Sequence, residues 1–192
     1  MTAQTSKRSA VFLDLQGTLG GEGLEDILDF SFYPFSVRAI KLLNENSLLV
    51  IVVTNQSHIS KGYFTYEQFE EKIGGLKREL TEHEAKLDGV YCCPHRPDGD
   101  CNCCKPKPGL LLEAKKDFNL DLNKCYVVGD SGPSDIGLAQ AVGARGILVM
   151  TGLGHYCRII DRQLWKGIMT DYMALDVLEA VKWISDKERE VL

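Results

Sequence analysis

Residues 10–18 read AVFLDLQGT: an unbroken apolar run, a carboxylate at Asp14, an amide at Gln16 and then Gly17-Thr18. An apolar run without polar alternation fits a strand covered on both faces, as in a parallel sheet flanked by helices. The Gly-Thr pair fits the turn that ends it. Asp14 would then stand at the carboxyl end of the strand, the edge of an open α/β sheet where ligands bind.

Further apolar runs of strand length occur as LLVIVV (48–53), GVYC (89–92), CYVV (125–128) and GILVM (146–150). Helical spacing separates them. Val37, Ile40, Leu42 and Leu43 mark one helix, and a second is expected over 65–84, opened by Thr65 and Gln68 at capping-box spacing. A third carries Leu110, Leu111, Leu112 and Ala114, and Leu175, Leu178, Val181 and Ile184 line one face of a closing amphipathic helix. This alternation predicts a three-layer α/β/α sandwich around a mainly parallel, Rossmann-like sheet. No repeat, low-complexity tract or linker divides the 192 residues, so residues 1–192 are expected to form a single domain.

Composition narrows the function classes. The chain is 44% hydrophobic and 26% charged, as globular proteins are, and its net charge of −5 comes without a basic block. Nucleic acid and anionic membrane are therefore disfavoured as partners. The longest apolar run, LLVIVV, is too short to span a bilayer, and MTAQTSKRSA at the start holds no signal-peptide core. Five of the seven cysteines crowd into residues 92–104, which is no disulfide framework and points to a metal site in a reducing, cytoplasmic setting.

The residues just beyond each apolar run carry the chemistry. The first run ends in Asp14, the second in Thr54-Asn55-Gln56-Ser57, and the fourth in Gly129-Asp130 with Asp135 close behind. The third leads through the cysteine-rich loop to Lys105. Three carboxylates brought together repel unless a cation neutralises them, and all-oxygen donors favour Mg²⁺. Thr54, Asn55 and Lys105 offer hydroxyl, amide and ammonium donors suited to a phosphoryl group. A carboxylate can itself take that group as an aspartyl phosphate. Mg²⁺-dependent phosphoryl transfer is the expected reaction.

DLQGT, VVTNQS, KPKPG and VVGDSGPSD, in that order, resemble the four motifs of the haloacid dehalogenase superfamily. The resemblance implies Asp14 as nucleophile and Mg²⁺ ligand, with the backbone carbonyl of Gln16 also on the metal. It implies that Thr54 and Asn55 contact the phosphoryl group and that Lys105 neutralises nucleophile and phosphate. Asp130 would bind Mg²⁺, and Asp135 the metal or its waters.

The loop CCPHRPDGDCNCCKP (92–106) holds a Cys93-Pro-His95 step and a Cys101-Asn-Cys103 step. Two such pairs can close a tetrahedral Cys₃His site, which leaves no open position and suits structural zinc. Cys92 and Cys104, each offset by one residue, are the competing ligands; Cys125 and Cys157 read as core thiols. The loop is similar to that of the superfamily's zinc-bearing branch, which includes heptose bisphosphate and histidinol-phosphate phosphatases. VVTNQSHISKGYFTYEQF and KPKPGLLLEA look like the heptose type, the short interval from His95 to Cys101 like the histidinol-phosphate type. With no long insertion, a large cap domain is not expected, and the zinc loop (92–105) should border the substrate pocket. The implied ligand is a small phosphorylated metabolite, a sugar phosphate first, handled by a monomer or weak oligomer.

Two departures qualify the resemblance. The superfamily's phosphatases carry a second Asp, the general acid–base, where this chain has Gln16, and losing such a group typically costs about 10²–10⁴-fold in rate. The expectation is a weak phosphatase, one favouring leaving groups that need little protonation, or a phospho-ligand-binding protein without turnover. Glu22 is the nearby carboxylate that could substitute, although a solvated loop Glu is its ordinary reading. The branch's usual Arg before the motif lysine is Cys104 here, and Lys61, Arg96 and Lys107 are the candidates to supply the missing positive charge.

Overall fold

The opening apolar run forms β1, Ala10–Leu13, and all of it is buried. The computed structural model describes residues 8–21 and 26–190, apart from the side chain of Asp161. In it β1 lies at the centre of a six-stranded sheet with β2 (Leu49–Asn55), β3 (Gly89–Cys93), β4 (Tyr126–Gly129), β5 (Arg145–Val149) and β6 (Tyr172–Ala174). The order is β3-β2-β1-β4-β5-β6, and every neighbouring pair is parallel.

The side-chain alternation of β1 divides the core in two. Val11 and Leu13 face a layer built from α1 (Ser36–Glu45), α3 (Tyr66–Glu82) and α7 (Val177–Glu190), which contribute Ile40, Phe69, Ile73 and Ile184 among others. Ala10 and Phe12 face α4 (Gly109–Phe118) and α5 (Gly137–Val142), through Leu110, Leu111 and Leu138. Each fully buried Leu, Ile or Phe contributes about 1.5–3 kcal/mol through removal of its surface from water. The remaining helices, α2 (Ser57–Ser60) and α6 (Gly154–Ile159), are short and come after β2 and β5. The layers are those of the expected α/β/α sandwich.

Thr65 caps α3 through the anticipated box: its hydroxyl accepts from the Gln68 N–H, and the Gln68 side chain accepts from the Thr65 N–H. Two local expectations are corrected. Leu175 is 71% exposed and precedes α7, which buries Val177, Ala180, Val181 and Ile184 while Leu178 is only partly covered. Leu112 is also exposed, because α4 turns Leu110, Leu111 and Ala114 inward. The three-residue β6 was not anticipated. Among the described residues no helix is long and apolar enough to cross a membrane, and no second unit interrupts the sheet.

Candidate active site and metal clusters

Parallel strands deliver their ends to one edge, and the motif residues meet there. Asp14 comes directly after β1; Thr54 and Asn55 end β2; Asp130 comes directly after β4; Asp135 lies in the irregular turn Gly132–Ile136 behind it. With Gln16, Lys105, Ser131, Ser134 and Leu153 they line a cavity of about 150 Å³. Carboxylate oxygens of Asp14, Asp130 and Asp135 lie within 4.8 Å of one another.

Lys105 enters this cluster from the loop after β3. Its Nζ donates to Asp14 Oδ1 at 2.5 Å and to Asp135 Oδ1 at 2.6 Å, with all three side chains nearly buried. Asn55 holds the lysine's backbone: Asn55 Oδ1 accepts from the Lys105 N–H and Nδ2 donates to the Lys105 carbonyl. The amide expected to contact a phosphoryl group thus also fixes the lysine.

Burial acts first on the titration of this cluster. It pushes Asp14 up to about 6, with Lys105 lowering and Asp135 raising it further. Burial, then Asp14 and Asp135, push Asp130 up to about 8. For Lys105 burial favours the neutral form, but Asp135 and Asp14 outweigh it and hold the ammonium charged. Fully ionised, the group carries three carboxylates against one ammonium, an excess that a divalent cation would cancel. The hard oxygen donors and their spacing fit Mg²⁺.

Asp130 depends on two glycines. A Cβ on Gly17 or on Gly152, both at positive φ, would collide with its carboxylate. Asp130 Oδ2 accepts from the Leu153 N–H at 2.8 Å. Since the folded-state pKa of Asp130 lies above its ordinary value, the stability it contributes to the metal-free protein is present below about pH 4 and lost as the pH rises through about 8. Asp130→Asn should therefore match the metal-free wild type near pH 4. Near pH 8 it should exceed the wild type by a few kcal/mol, since each tenfold change in proton affinity is worth about 1.4 kcal/mol. Denaturant unfolding in a chelator across that range checks this; equal stabilities at pH 8 would contradict it.

The second cluster comprises Cys93 Sγ, His95 Nδ1, Cys101 Sγ and Cys103 Sγ, all within 4.8 Å of one another. The separations are 3.6 Å from Cys93 to His95, 3.2 Å from His95 to Cys103, 3.8 Å from Cys93 to Cys101 and 3.0 Å from Cys103 to Cys93. A tetrahedron with Zn–S of about 2.3 Å has edges of about 3.8 Å, so the donor set fits zinc. Backbone N–H groups of Cys104 and Cys103 help hold the Cys101 thiol down to about 7, while burial pushes Cys93 up. Cys92 and Cys104 stand outside the cluster. Cys104 is buried against the α4 side of the sheet, so where the branch places a charge this chain has a core thiol.

Of the candidate cations, none lines the cavity. Lys107 braces the cysteine-rich loop by donating to the Cys101 carbonyl at 2.7 Å, and Arg96 pairs with Asp98 at the surface. Glu22 lies outside the described residues. Gln56, named in the sequence only as part of the run at the end of β2 and given no role, is 3% exposed, and its Nε2 donates to Gln16 Oε1 and to Thr54 Oγ1, each at 2.8 Å. Its place directly after Thr54-Asn55 on a strand end was the available signal.

Three buried carboxylates and an ammonium beyond the central strands of a parallel sheet define a class, and the chain belongs to the haloacid dehalogenase-like hydrolases. A HAD-hydrolase-like family model matches residues 102–179. Within that class its relatives are heptose bisphosphate phosphatases. It is 37% identical over 153 residues to the D-glycero-beta-D-manno-heptose-1,7-bisphosphate 7-phosphatase of Pasteurella multocida (strain Pm70), covering 76% of this chain and 83% of that one. It is 39% identical over 155 residues to the enzyme of the same name from Haemophilus ducreyi, covering 76% and 85%. The fold is similar to the crystal structure of D,D-heptose 1,7-bisphosphate phosphatase from B. bronchiseptica complexed with magnesium and phosphate. That match has a TM-score of 0.81, 24% identity, and covers 94% of this chain and 99% of that one.

Proposed function

We propose that the chain, residues 1–192 acting as one domain, is a phosphatase for a small phosphorylated metabolite, with a phosphorylated sugar such as heptose bisphosphate as first candidate. The observation carrying this is the bifurcated hold of Lys105 on Asp14 and Asp135 beside Asp130, together with relatives named for a sugar bisphosphate.

Asp14 is the nucleophile: one carboxylate oxygen bonds to phosphorus, the bond to the substrate oxygen breaks, and an aspartyl phosphate results. Lys105 holds that carboxylate in place and keeps its own charge beside the phosphoryl oxygens. Thr54, whose oxygen already accepts from Gln56, has its hydroxyl proton to donate to a phosphoryl oxygen. Asp14, Asp130, Asp135 and the Gln16 carbonyl are the residues to hold Mg²⁺, which when bound supplies neutralisation of phosphate charge. Cys93, His95, Cys101 and Cys103 are the residues to hold a structural zinc.

Purified protein with Mg²⁺, assayed against a panel that includes heptose bisphosphate and histidinol phosphate, tests the reading. Phosphate release is expected from the sugar bisphosphate and should fall below detection in Asp14→Asn. Retention of ligand without any turnover would favour a phospho-ligand-binding protein.

A further inference from the structure

Among the described residues, the cavity beside Asp14 has no acid to spare for a departing group. Asp14 is the proposed nucleophile, while Asp130 and Asp135 belong to the cation cluster. Asp135 is further engaged by Lys105 on one oxygen and by the Ser131 N–H on the other. Beyond these, the described wall consists of two amides, three hydroxyls and Leu153; no His, Cys, Tyr or Glu lines it.

Nor is Gln16 a loose replacement. Its Oε1 is engaged by Gln56, a buried amide that also donates to Thr54. The other end of the Gln16 carboxamide is N–H, which can donate a hydrogen bond but cannot give up its proton. The buried Gln56 amide thus ties the Gln16 side-chain oxygen to Thr54.

We propose that this site takes phosphoryl compounds whose leaving group departs without a proton, acyl phosphates first and aryl phosphates next, and that Asp14 retains the phosphoryl group as a long-lived aspartyl phosphate. The proposal rests on the reading of Asp14 as phosphoryl acceptor. With an acyl phosphate, the Asp14 oxygen bonds to phosphorus and the P–O bond to the acyl group breaks with its electron pair. A carboxylate leaves as a stable anion. An alkyl ester would release an alkoxide that must collect a proton, and Gln16 has none to give. In the second step water attacks phosphorus, the bond to Asp14 breaks, and the water's protons pass to the inorganic phosphate and solvent. With no base among the described lining residues, this water is activated slowly, and with an acyl phosphate the second step is limiting. Turnover of a sugar phosphate, an alkyl ester, is the slow branch of the same chemistry.

The test gives full-length protein and Mg²⁺ acetyl phosphate, p-nitrophenyl phosphate or glycerol 3-phosphate, following phosphate release and intact protein mass. Acetyl phosphate should phosphorylate the protein, within the first turnover, roughly 10²–10⁴-fold faster than glycerol 3-phosphate, the factor a general acid would otherwise supply. The wild type should gain the mass of one phosphoryl group, and Asp14→Asn should not. Gln16→Asp should narrow the gap between esters and shorten the phosphoprotein's lifetime; should that variant not fold, the wild-type mass record decides alone. Glycerol 3-phosphate phosphorylating the protein as fast as acetyl phosphate, or steady release from acetyl phosphate without phosphoprotein at any time, overturns the proposal. So does loss of alkyl-ester turnover in Glu22→Gln, which would reveal an acid outside the described residues. Neither phosphate nor phosphoprotein from any donor, heptose bisphosphate included, would instead remove the Asp14 reading beneath it.

Discussion

Replacing Lys105 by methionine is expected to cut phosphate release by at least about 10²–10³-fold, the usual cost of losing one preorganised electrostatic donor. Methionine keeps the length and bulk of the chain but leaves Asp14 and Asp135 facing each other without the ammonium between them. Removing one partner of a buried ion pair typically destabilises by about 3–5 kcal/mol. The penalty has a definite pH sense. It belongs to ionised carboxylates, so it should be largest at alkaline pH and shrink as the pH falls and Asp14 and Asp130, already raised to about 6 and about 8, protonate. Mg²⁺ should restore part of the stability at pH 8 without restoring turnover. Denaturant unfolding at pH 5 and 8, with and without Mg²⁺, reads both effects. A variant as stable as the wild type at pH 8 in chelator would show that Lys105 does not neutralise the cluster.

The second large effect should come from the sulfur-rich loop. Cys93→Ser removes the thiol that touches His95, Cys101 and Cys103 alike. Structural zinc supplies on the order of 10 kcal/mol of apparent folding energy in small zinc peptides, and a zinc held by these four residues would order the segment leading to Lys105. Cys93 also pairs in register with Asn55, and its carbonyl accepts from the Gln56 N–H at 2.7 Å. Thermal stability and phosphatase activity should therefore fall together, in the variant and in chelated wild type. With Mg²⁺ resupplied throughout, added Zn²⁺ should return both to the wild type and neither to Cys93→Ser. Chelated protein that keeps its melting temperature, and its activity once Mg²⁺ alone is resupplied, would sink this account.

The centre of the molecule was legible because its signals are local. AVFL, LLVIVV and CYVV are apolar on both faces, and such strands can lie only inside a covered parallel sheet. From there, the carboxyl-end rule alone placed Asp14, Thr54, Lys105, Asp130 and Asp135 at one edge. What escaped depends on tertiary context. The strand Tyr172–Ala174 is too short to announce itself and forms because Met150 N–H and β5 offer it partners. Leu175 suits the helical spacing but falls before α7 begins, so its fate was set by chain geometry and not by hydropathy. Gln56, Gly152 and Leu153 act through space on Gln16 and Asp130, across 40 and over 20 residues of chain. No periodicity encodes such pairings.

The position of β3 at the rim of the sheet sets when the protein becomes reactive. Lys105 must travel back from that outer strand to reach Asp14, a contact 91 residues apart in sequence, and it then meets Asp135 another 30 residues on. Contacts of such separation form late, after the entropy of closing long loops has been overcome. A nascent or partly folded chain would consequently lack the contact between Lys105 and Asp14. Recovery of catalysis is a readout of the whole assembly, not of its first strands.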